Sequence, residues 1–232
     1  MTRAFLVLAL VGACSDDAGP SDASIPTVDI DNASCGTATR FTGEYVDWDN
    51  DAAFCGIFGA AFHVQGTATM ASTAPNGRFD LCLADQPTTL IDITPSQDDS
   101  ACTTPPSKYM VPGIAIANRA VIFAQGGLWS GRAFTVDRQA SLGQPFDAAK
   151  AHVFVHVAGT PRPVALDAPH GPTQAVAATT WADGDTGHEV YFPNVDVGGG
   201  TANLSVMGGI SVGTGAIPLA AGKVTTLTIV VN

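Results

Sequence analysis

Cations are scarce in this chain: 10 Lys and Arg stand against 21 Asp and Glu, a net charge of -11. Affinity for a phosphate backbone comes from clustered Lys and Arg, so this field repels polyanions and excludes nucleic acid as a main partner. Glutamate is scarcer still, with only Glu44 and Glu189 beside 19 aspartates, which leaves little material for the paired carboxylates of a glycosidase. No Gly-x-Ser-x-Gly elbow surrounds a serine; Ser130 and Ser211 read as strand or turn hydroxyls. The absence of Cys-x-x-Cys spacing argues against a four-thiolate zinc site. The apolar run at residues 4–11 is far shorter than the about 20 residues a transmembrane helix needs.

What remains is an apolar, turn-rich chain. Hydrophobic residues make up 46% and charged ones 13%, with 25 Gly and 15 Pro cutting the sequence into short pieces, the composition of a folded β protein. Residues 42–48, 61–70, 78–83 and 88–94 are β-favouring runs bounded by Gly, Pro, Asn or Asp. Phe79, Leu81 and Leu83 alternate with Arg78, Asp80 and Cys82, as in a strand with one buried face, and Pro75-Asn76-Gly77 supplies the turn before it. The second half repeats the pattern. Val153, Val155 and Val157 oppose His152, Phe154 and His156, and Leu227, Ile229 and Val231 share a face in residues 224–231. Residues 114–123 are apolar on both sides of Asn118-Arg119 and suit a buried strand as well as a helix. The fold class expected is all-β.

Cys14 gives the address. It follows the apolar run behind Arg3, with the small residues Val11-Gly12-Ala13 before it and the polar Ser15, Asp16 and Asp17 after it. This resembles the signal of a bacterial lipoprotein, which implies cleavage after residue 13 and a lipid on Cys14; an ordinary secretory signal cut after Ala13 is the alternative. Because Ser15 stands where inner-membrane lipoproteins tend to carry aspartate, the resemblance implies an outer-membrane or cell-surface location. Residues 14–34, rich in Ser, Asp, Ala, Gly and Pro, would be a lipidated, disordered tether. Four further cysteines, Cys35, Cys55, Cys82 and Cys102, suggest two disulfides in an oxidising compartment. Three connectivities are open, of which Cys55 with Cys82 and Cys35 with Cys102 is favoured.

The segment Thr73-Ala74-Pro75-Asn76-Gly77-Arg78-Phe79-Asp80-Leu81 resembles the T-x-x-(D/N)-G-x-F-x-L hairpin of the carboxypeptidase regulatory-like family. Gly43-Glu44-Tyr45-Val46-Asp47 is similar to that family's G-x-V-x-D strand. Gly59-Ala60-Ala61-Phe62-His63-Val64 matches its small-residue segment, and Ala220-Ala221-Gly222-Lys223-Val224-Thr225-Thr226 its closing edge strand. A looser copy of the hairpin lies at residues 186–195. The resemblance implies two Greek-key, transthyretin-like β-sandwiches in tandem, a disulfide-bearing one at 35–125 and a second at 130–232, each with its own core. Its motifs mark a fold and no chemistry.

Candidate sites are few. Asp47, Asp49 and Asp51 open like a calcium loop, but Ala52 and Phe58 stand where that loop needs Gly and an acid. Asp183 and Asp185 form a shorter candidate. His152 and His156 lie about 13 Å apart along a strand, too far to share one ion. Trp48, Trp129 and Trp181 make either a sugar-stacking platform or core packing, and their exposure decides which. The sequence therefore points to a non-enzymatic cell-envelope lipoprotein without a cofactor, a structural or interaction module. It would be held to the membrane by its lipid anchor, with an envelope protein or polysaccharide as partner. A carbohydrate- or calcium-dependent binding module is the first alternative and an exported hydrolase the second.

Overall fold

The computed structural model describes residues 35–47, 56–96, 111–125, 128–134, 140, 142–176 and 180–232. Within them the first half of the chain forms β1 (Thr39–Asp47), β2 (Ala61–Val64), β3 (Met70–Ser72), β4 (Arg78–Leu83), β5 (Thr88–Thr94), β6 (Gly113–Asn118), α1 (Arg119–Ala124) and β7 (Leu128–Ala133). The second half adds β8 (Ala151–Gly159), β9 (Val164–Leu166), β10 (Gln174–Val176), β11 (Trp181–Asp183), β12 (Glu189–Val195), β13 (Thr201–Val206), β14 (Ser211–Val212), β15 (Gly215–Pro218) and β16 (Val224–Val231). The alternation in residues 78–83 is borne out, since Phe79, Leu81 and Leu83 are buried.

Among the described residues the strands form one large mixed sheet, ordered β11-β10-β12-β8-β16-β6-β5-β2-β3 with β14 also on β16, and two small ones, β4-β1-β7 and β15-β13-β9. Each small sheet covers a different face of the large one. The first core takes Phe41 and Tyr45 of β1 and Phe79 and Leu81 of β4 against Phe62 of β2, Ile91 and Ile93 of β5, and Ala115 of β6. On the opposite face, Ala202 and Leu204 of β13 and Ile217 of β15 pack on Val153 and Val155 of β8 and Leu227 and Ile229 of β16. Successive strand residues point to opposite faces, so β6 serves both cores, with Ala115 in one and Ile116 in the other. A third cluster, Val111, Phe134, Phe154, Tyr191 and Val224, lies beside the first core, on the face turned away from β13 and β15.

Two sequence expectations change here. Strand β16 pairs parallel with β6 over Val224–Leu227 and parallel with β8 along its whole length. The halves therefore share one hydrogen-bonded sheet across residue 120 and do not stand as sandwiches in tandem. The apolar stretch at 114–123 is both things in turn. It runs as β6 to Asn118, whose side-chain oxygen accepts from the backbone N–H groups of Ala120 and Val121 and so caps α1.

The favoured disulfide pairing also falls. Cys35 is bonded to Cys82, with Cα atoms 5.3 Å apart, which excludes Cys55–Cys82 and Cys35–Cys102. The cause is register: β1 runs antiparallel to β4 with Arg40 opposite Cys82, and the turn closed by the Ala38 N–H on the Cys35 carbonyl brings Cys35 back beside it. Cys55 and Cys102 lie outside the described residues. Reduction of this bridge, which closes a separation of 47 residues, is expected to cost about 3–4 kcal/mol. Urea titration with and without reductant measures the loss, and a non-reduced peptide map should show Cys35 joined to Cys82.

Candidate functional site

A buried polar cluster lies where β7 passes over β8 and β12. On β8 the alternation puts His152, Phe154 and His156 on the face away from β13 and β15, and β12 adds Glu189 and Tyr191. Antiparallel register sets Glu189 opposite His156 and Tyr191 opposite Phe154. Between Phe192 and Val195 the register shifts, and Asn194 takes φ 50°, the one positive φ outside glycine among the described residues. Asn tolerates this left-handed conformation better than most residues.

Glu189 is held from two sides. Arg132 of β7 approaches it at 3.3 Å and the His156 Nδ1 at 3.9 Å. Burial alone would push the carboxyl upward, but His156 and Arg132 outweigh it and keep Glu189 below the usual glutamate range. The carboxylate is thus an ion-pair tie between β7, β8 and β12, stabilised as an anion and so a poor general acid.

His152 sits deeper, with no exposed surface. Its Nδ1 lies 2.9 Å from the Tyr191 hydroxyl and 3.3 Å from the Asn194 backbone nitrogen. An amide N–H can only donate, so Nδ1 is the acceptor and the neutral ring carries its proton on Nε2. That Nε2 is buried without a hydrogen-bond partner. Phe146 stacks on the ring at 4.7 Å, and Phe134 lies 6.3 Å away at 18° to it. Burial lowers the His152 pKa from 6.5 to about 4, partly opposed by the backbone and the charge of Asp147. The Tyr191 hydroxyl is pushed well above its usual value by burial. Neither group is open to a substrate, and at neutral pH the pair is two uncharged rings.

The residues singled out in the sequence disperse. His152 and His156 face different partners, and among the described residues no group of three or more His, Cys, Asp or Glu is placed to hold a metal ion. Asp183 accepts from its cross-strand partner Gln174 on β10, and Asp185 accepts from the adjacent Thr186. Asp47 ends β1 by pairing with Ala133, while Asp49, Asp51, Trp48 and Cys14 lie outside the described residues. Trp129 is buried in the first core against Phe79, with ring centroids 5.8 Å apart, whereas Trp181 packs on Phe154 in the third cluster. These two indoles belong to separate cores and form no common stacking platform.

No family model matches this chain. No curated protein matches it either. Among solved structures, the Bacillus anthracis TIE protein is similar over 84% of this chain at 10% identity, with a TM-score of 0.26. The chain spans 34% of that protein's length. The molecule is thus a mostly-β protein with one distant structural likeness and no identified family.

The partnership of His152, Tyr191 and Asn194 was not foreseen from sequence. The signal available was Phe192-Pro193-Asn194-Val195, where a proline followed by asparagine inside a β run points to a bulge. One exposed apolar feature stands apart from this site. Phe123 of α1, 59% exposed, lies under the Arg119 guanidinium at 5.3 Å and borders a shallow groove with Pro87, Ala120 and Val212.

Proposed function

We propose that this chain is a non-enzymatic lipoprotein of the cell envelope, a structural or interaction module of packed β-sheets tethered through a lipid on Cys14. The observation that carries the reading is the fate of its reactive groups. The buried histidine, its tyrosine and a largely buried carboxylate are all spent on holding layers together, with His152 fully enclosed and Glu189 tied to Arg132 and His156. On this reading the first-half layers, β4-β1-β7 over β6-β5-β2-β3, are a transthyretin-like sandwich, and the second half is a related one fused to it through β16. The lipid would attach the module to the outer membrane or cell surface, where its partner is an envelope protein or polysaccharide.

Labelling with radioactive palmitate tests the anchor. The wild-type chain should incorporate label and sediment with membranes, and Cys14→Ala should do neither, appearing in the soluble exported fraction. Membrane retention of the unlabelled variant would count decisively against the proposal.

A further inference from the structure

Residues 142–150 form a strap over the third hydrophobic cluster, fastened at few points. Phe146 is stacked on His152, and Leu142 packs on the same cluster. Asn194 holds the strap from both ends of its amide: its Nδ2 donates to the Pro145 carbonyl at 2.8 Å, and its Oδ1 accepts from the Asp147 N–H at 3.2 Å. Lys150 pairs with Asp196 where the strap enters β8, and the Lys150 carbonyl accepts from Gly222. The same Asn194 gives its backbone N–H to His152 Nδ1. Strap, bulge and histidine are therefore one mechanical unit.

That unit depends on a neutral ring. An imidazolium has two N–H donors and no acceptor, so Nδ1 would turn a donor toward the Asn194 N–H, a contact that repels. The Tyr191 hydroxyl can rotate to accept, but the Asn194 amide cannot. Nε2, already without a partner, would carry half the new charge among Phe134, Phe146 and Tyr191. Burial among such walls costs the imidazolium more than the backbone and charge of Asp147 return to it. We propose that His152 is the latch of an acid-opened strap: protonation of the ring frees residues 142–150 from the sheet and uncovers the aromatic surface of Phe134, Phe154 and Tyr191.

The other charged groups around the latch do not replace it. On the strap, Asp147 favours the imidazolium and Lys150 is held by Asp196. On the sheet, Glu189 and His156 are engaged with each other and with Arg132 of β7, while Lys223, ahead of β16, binds Asp92. The ladders of β8 with β12 and β16 need no strap residue. Opening is therefore local, as expected for a segment held by few contacts.

The test places 4-fluorophenylalanine at position 146 in the full chain and follows its fluorine resonance as the pH is lowered from neutral through the His152 pKa of about 4 until the ring is fully protonated. The resonance should move from a shielded, stacked environment to a solvent-like one as the His152 ring nitrogens report protonation, while the far-ultraviolet circular dichroism of the sheets stays native. Asp147→Asn removes a charge that favours the imidazolium while the strap is closed, so its opening midpoint should rise to higher pH. His152→Phe, once its neutral-pH fluorine spectrum shows a closed strap, should stay closed throughout. The proposal is overturned if the fluorine resonance stays unchanged after His152 is protonated, or if His152→Phe opens with the wild-type midpoint. A midpoint that falls to lower pH in Asp147→Asn also overturns it, and that variant leaves every contact of the ring in place.

Discussion

Gly77→Ala is expected to destabilise the fold by about 4 kcal/mol or more. Gly77 has φ +76°, and a Cβ there would lie 2.3 Å from the Tyr45 carbonyl oxygen and 2.6 Å from the Gly56 Cα. Both obstacles are backbone. Three segments cross at this point: the Tyr45 N–H donates to the Gly77 carbonyl, the Ile57 N–H donates to the Tyr45 carbonyl, and Gly56 bridges to Val46. Because Tyr45 and Ile57 are core residues, displacing the crossing would pull apart the first core itself. Gly66→Ala is the control. It has φ +73° with nothing within 4 Å of its Cβ position, so it carries only the conformational strain of about 1 kcal/mol. Urea denaturation of both variants separates strain from collision, and equal losses would show that the crossing is not the cause.

The second large effect is acid sensitivity. His152 has its pKa lowered from 6.5 to about 4 in the folded chain, so between those values the unfolded state binds a proton that the folded state refuses. The stability this histidine contributes is complete above pH 6.5, shrinks as pH falls to about 4, and shrinks no further below that. The shift corresponds to about 3 kcal/mol. The comparison is wild type against the double variant His152→Phe, Tyr191→Phe, in which a phenyl ring fills the stacked position and no tyrosine hydroxyl is orphaned. Glu189, whose pKa is lowered, contributes stability above its unfolded value and loses it at lower pH, but it does so in both proteins and cancels. Denaturation midpoints across the acid range should fall more steeply for the wild type. Parallel curves would mean that His152 is protonated in the native fold without penalty.

The strands were legible because alternation reports which side of a run is buried. Residues 78–83, 88–94 and 224–231 have the bounds read from sequence, and Pro75-Asn76-Gly77 lies at the turn into β4, where the Gly77 N–H closes on the Ala74 carbonyl. Alternation does not report which strand lies alongside. Leu227, Ile229 and Val231 mark the inner face of β16 but carry no trace of β6 and β8, and Thr226 and Thr228 on the opposite face are buried too. The disulfide failed for the same reason, since the meeting of Cys35 and Cys82 is a consequence of β1–β4 register. At the site, strand spacing correctly separated His152 from His156. The Tyr191 and Asn194 contacts to His152 needed both the β12 register and its bulge, neither of which is written in local composition.

The position of β16 between β6 and β8 sets an order of assembly. Both of its long pairings are parallel, and every residue from Arg119 to Lys223 must be synthesised before the gap beside Gly113 to Ile116 can be filled. Until then β6 and β8 each present a bare strand edge, open to any other extended segment. Non-local pairing of this kind folds slowly, so a growing chain leaves its large sheet in two unjoined parts until the eight residues of β16 arrive.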